Sequence, residues 1–154
     1  MGFISGSGTG SAGRTWALGL SAAIALGGAS PPASVDAQIA GLRSTKGQVM
    51  VCLTATAAKF PKCQNDPTSR RVKVPATAAQ HVRIDGLPSG TYAIAVVHDE
   101  NMNGRLDTAL GIPNEGFGFS RNPPIRFGPP KFDAARFAVV SGAKDEGVRV
   151  RYLL

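Results

Sequence analysis

The chain has 154 residues, enough for one domain and hardly for two. Its 43% hydrophobic content argues against wholesale disorder, 19 Gly and 11 Pro without a strict period exclude collagen and long coiled coils, and two Cys with two His exclude a Cys-rich zinc module. The formal charge is +7, yet the basic residues are scattered and no aromatic–basic motif or recognition helix accompanies them, so nucleic acid is not an expected partner.

Residues 1–14 are rich in Gly and Ser, and Trp16 to Leu26 is an uncharged apolar run. The run is too short to span a bilayer, which takes roughly 20 residues, and suits the apolar centre of a secretory signal. Small residues at Val35 and Ala37 place the expected cleavage before Gln38. The expected division is thus a leader over 1–37 and a folded domain over 38–154, in the periplasm or outside the cell. No Cys follows the run closely, so a lipid anchor is not expected, and the mature part holds no transmembrane span. Its surplus of Lys and Arg makes anionic cell-surface polymers or carbohydrate the candidate partners.

Downstream, short alternating segments predict strands. Gln48–Thr54 places Val49, Val51 and Leu53 on one face. Residues 72–74 form a short piece that stops at Pro75. Residues 81–84 place Val82 and Ile84 inward, with His81 and Arg83 outward. Residues 91–97 are apolar on both faces, as a central strand should be. Residues 136–140 and 148–152 complete the set, the latter with Val148, Val150 and Tyr152 inward. No window of a dozen residues carries a 3.6 period. The expected fold is all-β: a single immunoglobulin- or prealbumin-like sandwich of about seven strands. Leu87-Pro88-Ser89-Gly90-Thr91-Tyr92 has the spacing of a tyrosine corner, with Gly90 permitting the turn and the Tyr92 hydroxyl reaching back upstream.

Cys52 and Cys63 lie 11 apart, and an exported protein in an oxidising compartment is expected to join them; the competing reading is two unrelated thiols. Residues 113–132 hold four of the seven Phe and read as one long irregular loop. Its Phe side chains either form a ligand surface or plug the end of the sandwich; the plug is preferred.

Asp99, Asn101, Asn103 and Asp107 fall at positions 1, 3, 5 and 9 of a calcium-loop pattern, with Gly104 at 6 and the Arg105 carbonyl at 7. Leu110 replaces the bidentate Glu at 12, and no helices flank the loop. Glu115 or Glu100 is the candidate for the missing carboxylate. Calcium there has a structural role; the competing reading is a turn closed by its own hydrogen bonds. Ser89 and Ser141 lack a nucleophile-elbow context. His81 reads as a solvated side chain. His98, beside Asp99, is the one candidate base, and a hydrolase would need it to share a pocket with Asp99 or Glu115.

Three segments together carry a family resemblance: residues 86–93 (Gly-Leu-Pro-Ser-Gly-Thr-Tyr-Ala), 98–107 (His-Asp-Glu-Asn-Met-Asn-Gly-Arg-Leu-Asp) and 111–120 (Gly-Ile-Pro-Asn-Glu-Gly-Phe-Gly-Phe-Ser). Gly128-Pro129-Pro130 and Phe132-Asp133-Ala134-Ala135 continue it. In these motifs the chain resembles the bacterial DUF2141 family, over about Gln38 to Leu154. The resemblance implies an exported sandwich of transthyretin-like or prealbumin-like type and no particular activity. The Cys52/Cys63 pair and Asn114 depart from the family pattern. A purine-pathway hydrolase shares the transthyretin-like fold but ends Tyr-Arg-Gly-Ser, whereas this chain ends Arg151-Tyr152-Leu153-Leu154. The expected function is an exported non-catalytic structural or binding module. The alternatives are a surface-polymer binder using the Phe-rich loop, and the His98 hydrolase.

Overall fold

The computed structural model describes residue Gly8 and residues 32–154. It is an all-β sandwich. One layer is a three-stranded sheet in the order β10 (Ala143–Arg149), β1 (Ala33–Ala40), β4 (His81–Leu87). The other runs β3 (Arg70–Pro75), β2 (Gln48–Thr54), β5 (Gly90–Asp99), β8 (Gly116–Phe119), with β9 (Phe137–Val139) paired to the start of β5. Eight strands thus form the layers where about seven were expected. A two-residue ribbon, β6 (Thr108–Ala109) with β7 (Ile112–Pro113), stands outside them. Among the described residues, helix is limited to α1 (Phe132–Ala135) and two 3-10 turns, 57–59 and 76–78.

Alternation decides which side chains meet between the layers. Val35, Ala37 and Ile39 of β1, Val82 and Ile84 of β4 and Val148 of β10 face Val49, Val51 and Leu53 of β2 and Ile94 and Val96 of β5. Burial of this apolar surface is the main stabilising term, at roughly 25 cal/mol per Å² removed from water. Tyr92 also enters this core, and its hydroxyl donates to the Pro88 carbonyl at 2.8 Å, as the corner spacing predicts. The left-handed glycine of that corner is Gly86 (φ +70°); Gly90 opens β5.

β5 has a second apolar face. Ala93 and Ala95 pack there with Phe117 and Phe119, and with the partly buried Phe60, Leu106, Ile125 and Phe132. Phe60 meets both Phe119 and Phe132 edge-on. The cover is fastened in two ways. The Cys52–Cys63 disulfide, with Cα atoms 6.3 Å apart, ties residues 57–63 to β2. Closing a loop of this length contributes roughly 3 kcal/mol in the chain-entropy account. The buried Ser120 hydroxyl accepts from Ile94 N–H and donates to the Ala135 carbonyl, pinning α1 to β5.

Two expectations change here. The segment 113–132 is not one irregular loop: it contains β8 and leads into α1, and Phe117 and Phe119 are buried, leaving Phe127 as its fully exposed Phe. Glycines and flanking prolines hid a strand whose inward positions need to be small. The boundary expected between residues 37 and 38 falls inside β1. Ala33, Val35 and Ala37 are buried, and β1 is the middle strand of its sheet, antiparallel to β4 and parallel to β10. The folded domain therefore begins by Ala33. The apolar run Trp16 to Leu26 lies outside the described residues.

A chain starting at Gln38 loses five of the eight residues of the central strand. It is expected to lack a cooperative thermal transition, whereas a chain starting at Ser30 keeps the full-length melting temperature; circular dichroism melts of the two check this.

Candidate functional site

The chemistry-bearing residues gather at one end of the sandwich, where β5 ends and the connections 41–47, 99–116 and 150–154 meet. The last of these arrives there by changing sheets. β10 pairs with β1 as far as Arg149; Val150 N–H then donates to the Ala40 carbonyl, and Arg151 exchanges both backbone hydrogen bonds with Phe117 of β8. The crossing is close. A Cβ on Gly116 would lie 2.5 Å from the Tyr152 ring, and one on Gly118 would lie 2.7 Å from the Arg149 carbonyl oxygen. Only glycine fits at either position.

Tyr152 lands beside His98, which is fully buried. Nε2 of His98 lies 2.8 Å from the Lys46 carbonyl, which can only accept, so Nε2 carries the proton. Nδ1 then accepts from the Tyr152 hydroxyl at 2.6 Å, and that hydroxyl accepts from Arg43 N–H at 3.0 Å. Burial pushes the Tyr152 phenol above its ordinary value. Both imidazole nitrogens are thus committed, tying the connections 41–47 and 150–154 to the end of β5.

Arg43 is the second tie. Its guanidinium donates to Glu100 Oε2 at 2.6 and 3.1 Å, to the Asn114 carbonyl and to the Leu154 carbonyl, and sits 4.4 Å from the centre of the Tyr152 ring. Ser44 donates to the other Glu100 oxygen. The Arg43 hydrogen bond holds the Glu100 carboxyl below its usual range and, reciprocally, raises Arg43. Neither Arg43 nor Tyr152 was singled out as a site residue from the sequence, because no motif marks a lone Arg in a short connection.

The expected calcium-loop residues do come together. The buried Asp99 carboxylate accepts from Asn103 N–H, Gly104 N–H and the Gln48 carboxamide. Asn101 Oδ1 also accepts from Asn103 N–H, and Asn103 Oδ1 accepts from Arg105 N–H. The Asn101 and Asn103 carboxamides both donate to Asp107 Oδ2, at 2.6 and 2.8 Å. The Arg105 side chain turns to Asp107 Oδ1 at 3.2 Å. These donors, Asn103 first, lower the Asp107 carboxyl from its ordinary value. Glu115 takes Glu100 N–H on one oxygen and Asp107 N–H on the other, clamping both ends of the loop. Among the described residues no three His, Cys, Asp or Glu side chains are grouped to hold a metal.

A groove of about 870 Å³ lies beside the three-stranded sheet and the connection that follows β1. Its walls include Gln38, His81, Asn122 and Arg149, and do not include His98, Asp99 or Glu115.

A family model described as "Uncharacterized protein conserved in bacteria (DUF2141)" matches residues 37–146. The chain belongs to the DUF2141 family. No curated protein and no solved structure matches it. The matched span of this DUF2141 chain starts in β1, ends in β10 and includes the Asp/Asn loop and β8.

Elsewhere, beneath the disulfide-tied connection, Asp66 accepts from the Thr54 and Thr68 hydroxyls and from Thr68 N–H. Those bonds, Thr54 first and Thr68 second, lower its carboxyl from 3.8 to about 2. The folded state thus favours the charged form. The resulting stability is complete above about pH 4 and is lost as the pH falls through about 2. Asp66→Asn is expected to melt below the unmutated protein at pH 6, with the gap narrowing between pH 4 and pH 2 in an acid series of thermal melts. Tyr152→Phe removes the hydroxyl that donates to a buried imidazole nitrogen, and denaturant unfolding should show a loss of about 1–3 kcal/mol.

Proposed function

We propose that this DUF2141 protein is an exported, non-catalytic β-sandwich module whose role is structural or binding. The observation that carries this is the commitment of its reactive groups. His98, Asp99 and Glu115 are buried, and their hydrogen bonds are taken up in holding the structure: His98 binds the Lys46 carbonyl and Tyr152, Asp99 binds Gln48 and the N–H groups of Asn103 and Gly104, and Glu115 binds the N–H groups of Glu100 and Asp107. A general base needs a lone pair within reach of a substrate, and the free pair of His98 is occupied by Tyr152. What the module offers to solvent is different: cationic side chains and a few large apolar ones. The disulfide supports export, since such bonds persist in oxidising compartments. Export requires a leader that ends before β1, and Gly27-Gly28-Ala29 supplies small residues for cleavage before Ser30. Mass measurement of the protein recovered from the periplasm or medium is expected to give a chain starting upstream of Ala33. A mature chain starting at Gln38, or one confined to the cytoplasm, would contradict the proposal.

A second reading concerns calcium as a structural ion in the loop 99–107. The gathering of Asp99, Asn101, Asn103 and Asp107 round one turn favours it, with the two carboxamides that now donate N–H to Asp107 turning their oxygens to the ion. With two Asp and two Asn as the main ligands, affinity in the range of extracellular modules, roughly 10⁻⁴–10⁻³ M, is expected. Millimolar calcium should then raise the melting temperature of the unmutated protein and leave Asp107→Ala unchanged. No rise in the unmutated protein assigns the loop to its own hydrogen bonds alone.

A further inference from the structure

The same end of the sandwich carries three exposed apolar side chains. Leu110, at the tip of the β6–β7 ribbon, is 102% exposed; Met102 is 66% exposed and Ile112 43%. Leu110 and Met102 also have left-handed backbones, with φ of 51° and 61°. Asn or Gly suits such positions, and a branched or long apolar residue there is strained. Strain of this kind is tolerated where burial repays it, and here no burial does.

The charge around them is sorted. The acidic groups of this end turn inward: Asp99 and Glu115 are buried, and Glu100 and Asp107 are bound by Arg43 and by Asn103. The cations turn outward. Lys73 Nζ lies beside Gly104, 3.7 Å from where its Cβ would be. Lys46 leaves the chain one residue before Gly47, which packs against the Asp99 carbonyl. Among the described residues neither lysine is in an ion pair. Apolar tips at the same end as two exposed lysines outside any ion pair match the interface of a bilayer with anionic headgroups, where the tips enter the acyl boundary and the lysines stay at headgroup level. A soluble anionic polymer would use the lysines and have no need of Leu110 or Met102.

We infer that the end formed by loop 99–107 and the β6–β7 ribbon docks on anionic lipid surfaces, with Leu110 and Met102 inserted and Lys46 and Lys73 on the headgroups. This deepens the binding-module reading by naming the partner. Its failure would be seen on vesicles, while failure of export would be seen in the mass of the mature chain.

Co-sedimentation of the full chain with vesicles of phosphatidylglycerol and phosphatidylcholine, against phosphatidylcholine alone, tests it. Paired comparison within the same chain cancels any contribution of residues 1–32. Binding should require the anionic lipid and weaken with added salt. Met102→Asn with Leu110→Asn leaves the charge unchanged and suits the left-handed backbone, so its melting temperature should hold or rise. Vesicle affinity should fall by about tenfold or more. Lys73→Gln should lower affinity for anionic vesicles by about fivefold and leave neutral ones unaffected. The proposal is overturned if the unmutated protein stays in the supernatant, or if the double Asn variant binds as well as the unmutated protein. It is also overturned if dextran sulfate is bound equally by both, which would make the partner a polymer.

Discussion

The passage of the C-terminal segment from one sheet to the other is the constraint on which the candidate site at this end of the sandwich depends. Parallel pairing of β10 with β1 ends at Arg149, and antiparallel pairing with Phe117 begins at Arg151, so a single residue, Val150, carries the chain across the gap between layers. That is feasible because β8 presents Gly116 and Gly118 on its inner side, where a methyl group would collide with the Tyr152 ring or the Arg149 backbone. The outer side of the same strand presents Phe117 and Phe119, which make the second core. One tetrapeptide, Gly-Phe-Gly-Phe, thus closes one core by being empty and fills another by being large. The crossing then sets Tyr152 over His98 and within reach of Arg43, and three otherwise separate connections become one unit.

Burying polar groups in that unit is tolerable because each has a partner. His98 would cost a desolvated nitrogen if either Tyr152 or the Lys46 carbonyl were displaced. Asp99 and Glu115 act likewise as multiple acceptors for backbone N–H groups of a loop that has no ladder of its own. Asp66 does the same for the connection under the disulfide, and Glu146 for Arg121 N–H. With 10 acidic residues in the chain, spending these as internal acceptors leaves a surface more cationic than the composition alone conveys.

Much of the fold was legible because apolar alternation survives wherever a strand has one wet face. Val49/Val51/Leu53, Val82/Ile84 and Val148/Val150 were placed inward by period alone, and all are buried. The double-faced burial of 93–96 followed from its continuous apolar run, and the disulfide from compartment and spacing. Two strands were hidden for physical reasons. β1 alternates Ala33, Val35, Ala37 and Ile39 with polar residues, but small side chains beside two prolines resemble a cleavage region as much as a strand. β8 uses glycine on its inner face, and glycine lowers strand propensity wherever packing does not demand it. The site was legible only as a set of residues. The Asp/Asn spacing located the loop; it carried no information that Glu115 would clamp both ends. Arg43 had no local pattern, and alternation marked Tyr152 only as inward-facing, because the partners of both lie more than fifty residues away in sequence.

The left-handed residues separate structural need from exposure. Asn65 and Asn122 are ordinary occupants of that conformation, and Cys63 and Arg121 have fixed surroundings: a disulfide for one, and a backbone bond to Glu146 for the other. Met102 and Leu110 differ, because they combine the unfavourable conformation with the greatest exposure of any apolar residues in their connection. A turn at Leu110-Gly111 would be better served locally by Asn-Gly, which fits two successive positive φ values at no steric cost. Folding alone gives no reason to prefer leucine there. The loop beneath is nonetheless fastened by nine hydrogen bonds of its own side chains, from Asp99 to Glu115, so the apolar tips are presented in a fixed arrangement. A well-fastened base under a locally disfavoured apolar tip is the pattern of a contact surface, since ordering the tip beforehand reduces the entropy lost when it meets its partner.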